Sequence, residues 1–439
     1  MSRMRSCSPG PTRRVSAFVF ASLLALGAAS CDRSPTTPLA PGRGAGAQSI
    51  EGTSGSEVVV TLVAGADPEA LASGYGAEVV ESAPGERVAT LRPGPGRGVA
   101  DLEQLLAADS SVVTVERNGW LETAETRQQA FSFDDGFETP EAYVEQPTAA
   151  ALHLGAAHVV AMGRGATVAI LDTGIDPNHP LLQGVYAGGE DLVDHDNDPT
   201  ETRDGVDEDG DGYVDEAFGH GTHVAGIIHL VAPEARLLAV RVLDDDGVGN
   251  LLRVVAGIRW AIQHDAKVIN LSLGSLRYSR AVDRALEDAE ARGIVVVVSA
   301  GNWASDTPVE FPASSSHVAA IAAVDASGTP ADFTSYGAYV ALAAPGVAVR
   351  STYPGADFRL WSGTSMSAPF VAGTCALLAE LHPGWTRSDM LARIASAARP
   401  IGADGRAFGA GWLDVGAALA PDGVAIPSDP LPVEDIRPR

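Results

Sequence analysis

The chain has 439 residues, 45% of them hydrophobic and 20% charged, with 30 Lys and Arg against 56 Asp and Glu and a formal net charge of -26 at pH 7. The apolar fraction is that of a globular protein of roughly 2–4 domains, and such acidity disfavours nucleic acid as a partner, because phosphates need clustered Lys and Arg. One lysine, Lys267, and three scattered cysteines, Cys7, Cys31 and Cys375, argue against P-loop, Schiff-base, zinc-cysteine and disulfide-scaffold chemistry. Ser, His, Asp and Asn are left as the reactive set.

Residues 1–30 read as a secretory signal. Arg3, Arg5, Arg13 and Arg14 precede the apolar stretch Ala17–Ala29, which is too short for a bilayer span of about 20 residues. Ala28-Ala29-Ser30-Cys31 resembles a bacterial lipoprotein cleavage box, with Cys31 as the lipidated residue. It departs at Ala28, where a larger aliphatic residue is usual, and plain cleavage after Ser30 is the alternative. Residues 31–56, rich in Pro, Gly, Ser and Thr, read as a flexible tether.

Residues 57–118 predict a strand at Val58–Val63, a helix at Pro68–Ser73 behind the N-cap Asp67, and strands at Val79–Val80 and Val88–Leu91. A helix at Val99–Ala108 and a strand at Val112–Val115 complete a small β-α-β-β-α-β domain of the ferredoxin-like, split βαβ kind. Residues 119–146 carry seven acids and one Arg with no sustained periodicity, so an exposed acidic processing linker is expected there.

Three motifs follow. Ala166–Gly174 ends an apolar run in Asp172-Thr173-Gly174, placing a carboxylate at the C-terminal edge of a strand, where functional groups gather in open α/β sheets. Taken alone, an Asp after a strand is more often an ordinary turn or cap. Gly219-His220-Gly221-Thr222-His223 opens a buried helix through Val224, Ala225, Ile227 and Ile228. No H-E-x-x-H arrangement is present, which argues against a metal and leaves His220 facing the site and His223 structural. Gly363-Thr364-Ser365-Met366-Ser367 precedes the small and apolar Ala368, Val371, Ala372, Ala376 and Leu377. That places Ser365 at a helix N-terminus, whose free N–H groups suit an oxyanion beside the hydroxyl; a plain N-cap is the alternative. The motif is not the G-x-S-x-G elbow, because Ser367 stands where the last glycine belongs.

Asp172, His220 and Ser365 in that order resemble the subtilisin-like serine protease family, over roughly residues 150–420. The resemblance extends to Val295–Asn302, Val268–Gly274 and Ala343-Ala344-Pro345-Gly346. It implies an α/β catalytic domain at 147–420, built on an open, mostly parallel sheet with helices on both faces. It also implies Ser365 as nucleophile, His220 as general base, Asp172 as its orienting partner, and the Asn302 amide with the Ser365 N–H as oxyanion donors. Ser272, Leu273 and Gly274, with Ala300 and Gly301, would line a groove that pairs with an extended peptide.

The 57–118 domain then resembles an inhibitory propeptide, with an unrelated binding domain as the alternative, and no cofactor is implied for catalysis. The implied partners are protein or peptide substrates and the chain's own propeptide, without nucleic acid, and a monomer is expected. The implied location is outside the cytoplasm: extracellular, periplasmic, or tethered to a bacterial membrane through lipid on Cys31. A catalytically silent module on the same fold would be expected to lack one of the four residues, and an esterase is disfavoured by the missing elbow.

Residues 190–216 hold thirteen acids and one Arg. Asp207, Asp209 and Asp211 alternate before Gly212 like the first half of an EF-hand loop, but Phe218 stands where the twelfth-position Glu is required. A structural calcium ion on Asp207, Asp209 and Asp211 is expected, with a solvated acidic loop as the alternative, and Asp194, Asp196 and Asp198 form a second alternating set. Asp244-Asp245-Asp246-Gly247 reads as an exposed turn, Cys375 as a buried inert thiol, and residues 421–439 as a disordered tail.

Overall fold

A computed structural model describes residues 53–83, 85–128, 130–136, 139–401 and 406–420. The signal, Cys31, most of the tether and the 421–439 tail lie outside the described residues.

The first elements are β1 (Thr53–Leu62), α1 (Pro68–Gly74), β2 (Ala77–Ala83), β3 (Val88–Pro93), α2 (Val99–Ala107) and β4 (Val112–Glu122). Asp67 caps α1 by accepting the Glu69 N–H at 3.1 Å, with Pro68 in the first turn, where its missing N–H costs nothing. Side chains alternate across the strands. Val58, Val60 and Leu62 share a small core with Leu71, Leu102 and Leu106, whereas Val59 and Val88 join the large core of the rest of the chain.

Beyond it come α3 (Ala124–Gln128), α4 (Pro140–Val144), α5 (Pro147–Ala151), α6 (Leu154–His158), β5 (Thr167–Asp172), β6 (Tyr186–Asp191), α7 (His220–Val231), β7 (Arg236–Arg241) and β8 (Val248–Asn250). The remainder is α8 (Leu251–Gln263), β9 (Val268–Leu271), α9 (Arg280–Ala291), β10 (Val295–Ser299), β11 (Ala319–Val324), β12 (Val340–Pro345), β13 (Val349–Tyr353), β14 (Asp357–Trp361), α10 (Thr364–Leu381), α11 (Arg387–Ala397) and α12 (Val415–Leu419).

Among the described residues, seven strands form one sheet in the order β12-β11-β10-β9-β5-β7-β6, with every neighbouring pair parallel. Its central strands are buried throughout, which explains their unbroken apolar sequences. Helices α7 and α10 pack on each other and on these strands, and α8 and α9 form a second pair. From β5 the chain passes to the edge strand β6, comes back through β7 beside β5, and then crosses to build β9 to β12 on the other side. Asp172 therefore ends the strand at which the order reverses, where open parallel sheets hold their ligands. None of the described helices is long and apolar enough to cross a membrane.

A second sheet, β2-β3-β1-β4-β8, is antiparallel and joins the N-terminal elements to the rest of the chain. Glu116 caps α9, with Oε1 accepting from Ser279 Oγ at 2.8 Å and the Ala281 N–H at 2.7 Å. Glu81 accepts from Asn250 Nδ2 at 2.9 Å and pairs with Arg253 at 3.3 Å on α8. The expectation of an exposed segment from residue 119 fails at its start. Strand β4 continues to Glu122, and Leu121 through Thr126 are buried, because Trp120, Leu121 and Glu122 pair with β8 while Glu122 also bridges Gly274.

Candidate active site

The turn after β5 closes tightly onto the first turn of α7: a β-carbon on Gly221 would lie 2.0 Å from the Gly174 carbonyl oxygen. That approach brings His220, the first residue of α7, against Asp172, with Nδ1 2.6 Å from Oδ1. Asp172 Oδ1 also accepts the Thr173 N–H at 2.8 Å. The imidazole is wholly buried and meets Trp361 edge to face at 5.3 Å. His223, one turn on, has Nε2 3.1 Å from the carbonyls of Val349 and Arg359. Burial and the nearby His220 depress it to about 3, so it is a neutral packing residue.

Ser365 is the second residue of α10 and is fully buried. Pro369, four residues later, lacks the N–H that would bond the Ser365 carbonyl. Ser272 Oγ donates to that carbonyl instead at 3.1 Å, fastening the serine to the segment after β9. Asn302, beyond β10, has its amide fixed by Thr364, whose N–H and Oγ1 donate to Oδ1 at 3.0 and 2.9 Å. Its Nδ2 is thereby turned into the site.

Three of these residues, His220, Ser365 and Asn302, converge on a fifth that the sequence did not single out. Glu125 of α3 is 1% exposed, and its Oε1 accepts from Asn302 Nδ2 at 3.0 Å and from the Ser365 N–H at 3.4 Å. Its Oε2 accepts from Ser365 Oγ and faces His220 Nε2 at 3.5 Å. Burial disfavours the imidazolium, but Asp172 and Glu125 overcome it and raise His220 to about 10. Burial likewise opposes charge on Glu125, yet His220, Ser365 and Asn302 hold its carboxyl below the usual range. Nothing in its local sequence separates Glu125 from the other acids of the segment.

The chain leading to Glu125 lies as an added strand. Glu122 exchanges hydrogen bonds with Gly274 at 3.0 and 2.9 Å, and the Thr123 N–H donates to the Gly247 carbonyl at 3.0 Å. Of the other expected groove residues, the Ser272 carbonyl lies 3.4 Å from Ser365 Oγ, and Leu273 is buried. The Ala300 carbonyl accepts from the Tyr339 hydroxyl at 3.2 Å, and the Gly301 N–H donates to Thr364 Oγ1 at 3.1 Å.

The acidic insert divides into parts of different kinds. Glu201 is buried beneath α7, accepting N–H groups of Gly219, Gly221 and Thr222 at 3.2, 3.1 and 3.3 Å and the hydroxyls of Thr173 and Thr222. Burial pushes it up to about 7 in spite of these bonds. Asp207, Asp209 and Asp211 each bring a carboxylate oxygen within 4.8 Å of the others, as do Asp204, Glu208 and Asp245.

Asp194, Asp196 and Asp198 are exposed and do not converge, since Asp194 turns to Arg241. In the turn expected to be exposed at 244–246, Asp245 and Asp246 are buried instead. Asp246 is 0% exposed, accepting the Asp215 and Glu208 N–H groups at 2.7 and 2.6 Å, while Asp245 accepts that of Asp204 at 2.8 Å. The insert thus folds onto this turn, which supplies the acceptors its backbone needs. Cys375 is buried, and burial pushes its thiol up to about 12.

A parallel α/β sheet with an Asp-His pair at a strand end, a serine at a helix N-terminus and an amide aimed at the same point defines a subtilisin-like serine endopeptidase. A profile of the Subtilase family matches residues 163–412, and the chain belongs to that family. It is 40% identical over 265 residues to thermitase of Thermoactinomyces vulgaris, covering 58% of this chain and 88% of thermitase. To subtilisin E of Bacillus subtilis it is 37% identical over 268 residues, covering 58% and 66%. It also resembles the crystal structure of fervidolysin from Fervidobacterium pennivorans, a keratinolytic enzyme related to subtilisin. There the TM-score is 0.67 at 25% identity, over 84% of this chain and 61% of fervidolysin.

Proposed function

We propose that the chain is exported as a latent precursor, processes itself, and then hydrolyses protein substrates through an acyl-enzyme on Ser365. The observation that carries this reading is the convergence of Asn302 Nδ2, the Ser365 N–H, Ser365 Oγ and His220 Nε2 on one carboxylate. In a substrate complex the peptide carbonyl replaces that carboxylate. Ser365 Oγ attacks, His220 Nε2 takes its proton and passes it to the leaving amine, and Asp172 orients the imidazole and stabilises its charge. Asn302 Nδ2 and the Ser365 N–H receive the oxyanion, and water then releases the acyl group by the same route.

Latency rests on two effects of Glu125. It fills the position of the oxyanion, and it helps hold His220 protonated at neutral pH, so that no base is available. Residues 57–118 act as the inhibitory domain, supported by the contacts of Glu81 and Glu116 with α8 and α9. Export rests on the pattern of residues 1–30, with Cys31 as the lipid anchor, and the mature enzyme works as a monomer.

Calcium is a structural ligand only. Its binding at Asp207, Asp209 and Asp211 is supported by nearby Glu216, whose two carboxylate oxygens are buried with no hydrogen-bond partner among the described residues. Burial, with Asp246 and Asp211 close by, raises Glu216 to about 9, the behaviour of a carboxylate lacking a counter-ion. The ion would neutralise these crowded charges and hold the insert that ends at α7.

Casein hydrolysis by the purified protein and by Ser365→Ala tests the reading. The variant should cut no casein and should keep residues 57–118 attached; cleavage at the wild-type rate overturns the mechanism.

A further inference from the structure

Glu310 is a carboxylate with an unusual position. It is 2% exposed, and its Oε1 accepts from Trp303 Nε1 at 2.5 Å. Its neighbour Phe311 exchanges backbone hydrogen bonds with Ser275, both 2.8 Å, so the segment runs alongside the groove residues 272–274. A β-carbon on Gly274 would lie 2.3 Å from Glu310 Oε2, and one on Gly301 would lie 3.0 Å from Glu310 Cδ. The carboxylate therefore lies against both glycines, one of them directly before Asn302.

The docked strand shows which part of a substrate meets this spot. Glu122 lies opposite Gly274 in antiparallel register, so the residue two positions later lies opposite Ser272. The Ser272 carbonyl is 3.4 Å from Ser365 Oγ, which makes that later position the one preceding the bond to be cut. Side chains two apart in a strand share a face, and directly opposed residues of an antiparallel pair also share one. The side chain before the scissile bond thus points to the face on which a Gly274 β-carbon would stand, where the Glu310 carboxylate lies.

We infer that Glu310 is the specificity-determining residue of this slot and selects a cationic Lys or Arg side chain immediately before the cleaved bond. A cation meets a water-poor carboxylate with which it can pair. An acidic side chain is repelled there, and a large aromatic one forms no ion pair with it. Ala124, which holds this position in the docked strand, is too short to use the carboxylate, consistent with a segment that blocks the groove.

The inference rests on the endopeptidase reading, and one experiment separates their failures. The self-matured protein is assayed on peptides identical except for Arg, Ala, Phe or Glu before the cut, beside casein whose products are mapped by mass spectrometry. Wild type should favour Arg over Phe by at least about tenfold in kcat/KM, the scale of a strong pocket contact, and casein cuts should follow Lys and Arg. In Glu310→Gln the Arg-to-Phe ratio should collapse toward one. Casein cleavage without basic preference, or a ratio retained in Glu310→Gln, overturns the inference alone. Absence of any cleavage overturns the endopeptidase reading and the inference together. The casein map uses the wild-type protein, so a misfolded variant does not protect the proposal.

Discussion

Two buried glutamates touch the machinery around His220, and they are held in opposite ways. Glu201 is surrounded by fixed donors, the first N–H groups of α7 and two threonine hydroxyls, none of which takes part in chemistry. Glu125 is held by Ser365, Asn302 and His220, the groups that would act on a substrate. Burial dominates the first and raises its pKa to about 7; charge and hydrogen bonding overcome burial in the second and lower it. A carboxylate bound by scaffold atoms is a permanent part of the helix start. One bound by reactive atoms is replaceable, because a substrate offers those atoms something better as its oxyanion forms.

Five outcomes test that contrast. Ser365→Ala should lower kcat for peptide hydrolysis by on the order of 10⁶-fold, as when a serine-histidine unit loses one member. A loss below about tenfold in a peptidase assay would mean Glu125 marks something other than a catalytic centre. Asn302→Ala removes one donor now on Glu125 and should reduce kcat by about 10²–10³ with little change in KM. Glu125→Ala should let the uncut chain, identified by its mass on a gel, react at least about tenfold faster with a serine-directed fluorophosphonate, since both latency effects vanish. Equal labelling would show that the carboxylate is not the plug.

Glu201 should show itself in stability rather than in rate. Its folded pKa is raised from 4.5 to about 7, so the folded state binds more proton than the unfolded between those values. Its contribution is then largest at low pH and falls by roughly 1–3 kcal/mol as pH rises through this window. In an inactive Ser365→Ala background, Glu201→Gln should flatten the change of Tm between pH 4.5 and 6.5; an unchanged slope in calorimetry would contradict the assignment. The smallest effect is expected at the rim of the insert. Chelation of calcium should lower Tm by about 2–8 °C, and Asp209→Asn should remove that shift.

Much of the fold was legible because its signals are local. The β-α-β-β-α-β order of residues 57–118 followed from β-branched runs, an N-cap at Asp67 and apolar spacing, and the elements occur in that order. Strand β4 exceeded its expected end at Val115 because pairing with β8 and Gly274, not its own sequence, carries it to Glu122. Acidity misled in both directions. Residues 244–246 look solvated in sequence, yet the Asp245 and Asp246 carboxylates take the N–H groups of a loop some thirty to forty residues earlier.

Local patterns were enough to place Asp172 at a strand end, His220 and Ser365 at helix starts, and Asn302 after a valine run. Each sits in a motif whose backbone conformation is written locally. What a lone Glu does emerges only on folding. Glu125 meets Ser365, Asn302 and His220, Glu201 takes the N–H groups at the start of α7, and Glu310 lies against Gly274 and Gly301, because their partners come from other elements and charge in a buried site is defined by whatever surrounds it. The acidity visible in the composition is in that sense three different properties, which chain folding separates.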